Sequence, residues 1–126
     1  MKWNPHLLAL FLGLTLGGAH AKGKIVDIRW SNEGRFGHEA SVNPNEFLEL
    51  CGDLAPGSTV AWRFSASKLV DFNIHYHLGP EVVFPEKRSQ IASGAADLRV
   101  SLQQIYCWMW TNKGASASTL QVELRR

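Results

Sequence analysis

The sequence predicts an all-β fold, a two-sheet antiparallel sandwich of jelly-roll type with about eight strands. Two observations carry this. Apolar side chains alternate with polar ones at period 2 in segment after segment, which is the pattern of half-buried strands. Clusters of Gly, Pro, Asn and Ser punctuate those segments at regular intervals, and helical periodicity is scarce.

The chain opens on a leader. Lys2 supplies a positive charge, Leu7 to Leu16 reads LLALFLGLTL, and Gly17-Gly18-Ala19-His20-Ala21 closes with small residues. This is the layout of a secretory signal peptide, with cleavage expected after Ala21. The apolar run is about half the ~20 residues that a membrane-spanning helix needs. The expected organisation is therefore residues 1–21 as signal peptide and 22–126 as a single β-sandwich domain, beginning at Lys22.

The candidate strands follow in order. Val26, Ile28 and Trp30 alternate with Asp27 and Arg29. Glu46 to Cys51 is a shorter candidate. Val60, Trp62 and Phe64 form the third, and Val70, Phe72, Ile74 and Tyr76 the fourth. Val82 to Phe84 is a short fifth. Leu98, Val100 and Leu102 make the sixth, Tyr106, Trp108 and Trp110 the seventh, and Leu120, Val122 and Leu124 the eighth. Turns are expected at Ala55-Pro56-Gly57-Ser58, Leu78-Gly79-Pro80 and Asn112-Lys113-Gly114. Ser31 to Asn45, with Gly34, Gly37 and Pro44, reads as a long polar loop that holds His38.

Jelly-roll wiring of the eight segments places the second, seventh, fourth and fifth in one sheet. The first, eighth, third and sixth make the other. Large aromatics at the inward positions are expected to fill the space between two sheets about 10 Å apart. Trp108 and Trp110, near a strand end, are also the candidates for stacking against a ligand.

Composition narrows the function. The chain carries 13 Lys and Arg, 11 Asp and Glu, and a net charge of +2. Lys2 lies in the leader, which leaves the domain close to neutral. A nucleic-acid-binding domain shows a basic stripe, and the basic residues here are scattered, so no nucleic-acid partner is expected. No later stretch is apolar enough to span a membrane. The expected location is exported, either periplasmic or secreted. Two cysteines in an exported chain, Cys51 and Cys107, are expected to form a disulfide.

Residues 48 to 124 resemble the GOLD (Golgi-dynamics) domain, the luminal β-sandwich of cargo-receptor proteins. The likeness rests on Leu48-Glu49-Leu50-Cys51 before a turn, Val60-Ala61-Trp62-Arg63-Phe64, Asp71-Phe72-Asn73-Ile74 and Val82-Val83-Phe84-Pro85. It continues in YCWMWTN from Tyr106 to Asn112 and in Leu120 to Leu124. Cys51 stands where many cargo receptors have their first Cys. Cys107 stands two residues before the place of the second, which Met109 occupies. The resemblance implies a non-catalytic module that binds a protein or a lipid through loops or a sheet face.

No nucleophile motif and no Gly-rich phosphate loop is present, so no enzymatic activity is expected. Glu46 and Glu49 read as a solvated strand entrance. One constellation suggests a metal. His75 and His77 are two apart on a strand and share its outer face. Cys107 and Met109 repeat that spacing on the segment expected beside it. Imidazole, thiolate and thioether are copper ligands. A copper site of His75 and His77 with Met109 or Cys107 is thus the alternative to the binding module, and a plain solvated strand face is the alternative to that site.

Overall fold

A computed structural model describes residues 22–126; the expected signal peptide lies outside the described residues. Seven strands follow the chain: β1 Lys22–Asp27, β2 Arg35–Val42, β3 Glu46–Leu54, β4 Thr59–Leu78, β5 Glu81–Arg99, β6 Gln104–Thr111 and β7 Ser118–Arg125. They form one mixed sheet in the order β1-β3-β6-β4-β7-β2, with β5 lying along β4.

The sheet curls because β4 serves both of its halves. Ala61 to Ala66 pair with β7, while Asp71 to His75 pair with β6. The change falls where the pairing with β5 also slips, between Ser65 and Phe72. Such slips bend a strand and sharpen its twist. Asp71 braces the bend: its Oδ1 accepts from the Gln90 backbone N–H at 3.0 Å and from the Gln90 side chain at 2.9 Å. Gln90 is left-handed there, with φ 51°. Lys113 lies 2.8 Å from the other carboxylate oxygen and, with the Gln90 bonds, holds this carboxyl below its ordinary range.

Curling closes the core. Val60, Trp62 and Phe64 from the first half of β4 face Phe72 and Ile74 from its second half, and all are buried. Leu48 and Leu50 of β3, Tyr106, Trp108 and Trp110 of β6, and Leu120, Val122 and Leu124 of β7 complete the cluster. Phe64 meets Trp110 edge to face, with centroids 5.5 Å apart. Burying each such side chain stabilises by roughly 1.5–3 kcal/mol. The Tyr106 hydroxyl donates to the Leu102 carbonyl at 2.9 Å. Asn112, fully buried, ties three segments: its Nδ2 donates to the carbonyls of Val42 and Ser116, and its Oδ1 accepts from the Gly114 N–H.

The wiring departs from an antiparallel eight-stranded jelly roll in three ways. The third and fourth expected segments are one continuous strand of 20 residues, β4. The fifth and the start of the sixth, as far as Arg99, merge likewise into β5, of 19 residues. Polar Ser65 to Lys68 hides the first continuity and Pro85 the second. Pro85 falls at a register slip on an edge strand, where its missing N–H is tolerated. The first expected segment pairs with β3, and in parallel, so the sheet is mixed. The place beside β7 goes to β2, drawn from the stretch expected as a loop. Phe36, His38, Ala40 and Val42 turn inward there. Two of those four are weak apolar signals, which is why the alternation was faint. His38 is therefore a strand residue, and burial with nearby Lys24 lowers its pKa.

Candidate functional site

Direct cross-strand partners project from the same face of a sheet, so the register maps the outer face of the half formed by β1, β3, β6, β4 and the start of β5. One row runs Asp27, Cys51, Cys107, His75. The next runs Ile25, Glu49, Met109, Asn73, Lys87. Beyond it, Phe47 lies beside Gly23 and Thr111. A Cβ at position 23 would overlap the Phe47 ring, so glycine lets that ring lie across β1. At the opposite end, Ile105 pairs with Asp53, and His77 pairs with Val82.

Large apolar side chains stand exposed on this face among polar ones. Ile25 is 65% exposed, Ile105 60%, Phe84 44% and Val82 42%. The Phe84 ring centroid lies 6.0 Å from that of His75, and Lys87 Nζ sits 4.9 Å from its centre. Asp27, Asp53 and Lys87 carry charge around the apolar residues. The strands beneath are rigid, since β3 and β6 are cross-linked by the Cys51–Cys107 disulfide in directly opposed register.

Beneath the exposed residues lies a buried polar group. His75 is 5% exposed. Its Nδ1 is 2.7 Å from Asn73 Oδ1. An amide oxygen only accepts, so in neutral His75 Nδ1 carries the proton and Nε2 keeps its lone pair. Nε2 points toward Glu49, 3.7 Å from Oε1. Burial lowers the His75 pKa; Glu49 acts the other way, and His77 adds to the lowering. The His77 ring stands edge-on to His75, with centroids 5.5 Å apart. The Glu49 carboxylate also reaches the disulfide, with Oε2 3.9 Å from Cys51 Sγ.

The structure brings together His75, Cys107 and Cys51 in one row, with Met109 one row away beside Asn73. His77 lies at the exposed end of that face. Cys107 is spent in the disulfide, so the copper donors left are His75 Nε2, His77 and Met109. Trp108 and Trp110 are fully buried in the core and present no ring face to solvent. Glu49 is not a solvated strand entrance: its side chain is 15% exposed, wedged against His75. Ile25 and Ile105 did carry a signal, because each is one step out of phase with the inward residues beside it. Phe84 lies in an unbroken apolar run and gave none.

The outer face of the other half differs. A shallow groove of about 570 Å³ crosses β2, β7, β4 and β5, lined among others by Arg35, Arg63, Asp97, Glu123 and Arg125. Arg63 is paired to Glu123 there.

No protein-family model matches the chain, and no curated protein matches it. Solved structures do share its fold. One is PliG of Aeromonas hydrophila, a periplasmic inhibitor of g-type lysozyme. It is 13% identical, with a TM-score of 0.59 over 82% of this chain and 98% of that one. Another is the pre-peptidase C-terminal domain of a Bacillus anthracis collagenase, 5% identical. Its TM-score is 0.61 over 84% of this chain and 97% of that one.

Proposed function

We propose that this is an exported, non-catalytic binding module whose partner is a protein, docked on the outer face that carries Ile25, Phe84, Val82 and Ile105. That face is the observation that carries the reading. Apolar side chains from three strands stand exposed on one side of a cross-linked sheet, with charges at the edges, as at protein interfaces. A lipid-holding role would call for an enclosed apolar cavity, and the core is filled by Trp108, Trp110 and Phe72. The leader pattern and the disulfide support export. The two structural neighbours support a binding role, one being an inhibitor of an enzyme and the other a domain appended to one. The GOLD likeness points the same way.

The test is capture of exported proteins from the producing cell by the immobilised protein and by Phe84→Asp/Ile105→Asp. Both changed side chains are exposed, so the variant is expected to keep its fold. A protein retained by the first and lost from the second is the expected result. Equal retention by both places the interface elsewhere.

A further inference from the structure

We propose that the Cys51–Cys107 pair, when reduced, joins Glu49 and His75 as a four-ligand zinc site, so that the β3–β6 seam is held by a disulfide in oxidising surroundings and by Zn(II) in reducing ones. This does not rest on the binding-module reading.

Three donors cluster at the seam, and a fourth, His75, stands against one of them. One carboxylate oxygen of Glu49 and the two sulfurs lie within 4.8 Å of one another. His75, opposite Cys107 on β4, brings Nε2 to 3.7 Å from Glu49 Oε1. In a tetrahedral zinc site, with bonds of 2.0–2.2 Å to nitrogen and oxygen, those two atoms stand about 3.4 Å apart. Two thiolates, an imidazole and a carboxylate are a zinc donor set.

The histidine is already prepared as a ligand. Metal-bound histidines donate their second ring N–H to a fixed oxygen, which sets the tautomer and aims the lone pair. His75 Nδ1–H donates to Asn73 Oδ1 at 2.7 Å. The Nε2 lone pair then faces a carboxylate in a buried place. Two electron-rich atoms turned toward each other out of water are a ready position for a cation.

The chemistry balances with a small-molecule thiol as reductant. Two equivalents of thiol give two protein thiols and one small-molecule disulfide. Zn(II) then displaces both thiol protons, which pass to the solvent. A small-molecule disulfide reverses this: it oxidises the two thiolates to the S–S bond, is itself reduced to two thiols with two protons from solvent, and the metal is released.

The experiment is anaerobic titration of oxidised and reduced protein with Co(II), followed by Zn(II). Reduced protein is expected to bind one equivalent, with the visible bands of four-coordinate cobalt and sulfur-to-cobalt charge transfer, and zinc should bleach both. Oxidised protein should show neither. Cys107→Ser should abolish the charge transfer pattern of two thiolates. Glu49→Gln and His75→Ala should each weaken binding about tenfold or more. Reduced, folded protein that takes up no cobalt overturns the proposal. So does an affinity indifferent to both Glu49→Gln and His75→Ala. If reduction unfolds the chain, circular dichroism supplies the readout: recovery of the strand signal on adding zinc supports the site, and failure to recover overturns it.

Discussion

Trp62 and Phe72 belong to one strand, yet their rings touch across the core with centroids 4.8 Å apart. A straight strand would set them more than 30 Å apart at about 3.3 Å per residue. The contact therefore records the bend in β4 that curls the sheet. Each ring is buried, so Trp62→Ala or Phe72→Ala is expected to destabilise by about 3–5 kcal/mol. Arg63→Ala, which breaks only an exposed ion pair with Glu123, is expected to lose under about 1 kcal/mol. Denaturant midpoints compare the three; equal losses would contradict the register of β4.

The bend is also where the sequence stopped being legible. Alternation located every segment that buries large side chains, and the neighbours β3-β6-β4-β5 follow the expected wiring. It did not show that Ser65 to Lys68 continues a strand, because the inward position there is held by Ala66, a weak apolar signal among polar residues. Nor did it show β2, whose inward positions include His38 and Ala40. Parallel pairing of β1 leaves no mark in a six-residue segment. At the site, the shared face of His75 and Cys107 was legible from period 2. The roles of Glu49 and Asn73 were not, since they depend on side-chain reach across strands.

The disulfide should show in mass and in stability. Reduction is expected to add two hydrogens to the protein. The bridge spans 56 positions, so its loss in Cys51→Ala/Cys107→Ala is expected to destabilise by about 4 kcal/mol on the chain-entropy account. Two free thiols in freshly exported protein would contradict it.

Asn112 offers a sharper test of the loop packing. Asn112→Ala leaves the Val42 carbonyl without its amide donor in the interior, and an unsatisfied buried group costs about 1–3 kcal/mol. Asn112→Asp turns a carboxylate toward two carbonyl oxygens and is expected to be worse than Ala. Calorimetric unfolding of both variants ranks them; a milder Asp variant would contradict the bonding pattern.

Stability should fall on mild acidification. His75 and His38 are both held below the ordinary histidine value of 6.5, each first by burial. The unfolded chain then binds more protons than the folded one, so stability rises with pH in this window. It is complete above pH 6.5 and is lost as pH falls through the folded values. His75→Gln is expected to flatten the dependence of the denaturation midpoint between pH 7 and 5. A midpoint that climbs on acidification over that range would have the wrong sign.

The central claim is that one sheet face, and not the other, meets a protein. A photo-crosslinking residue placed at Phe84 on that face, and at Thr119 on the opposite half, measures this directly in cells that export the protein. Both positions are exposed. The account predicts a discrete covalent adduct with one protein from position 84 and none from position 119. Adducts of equal yield from both, or none from position 84, would contradict it.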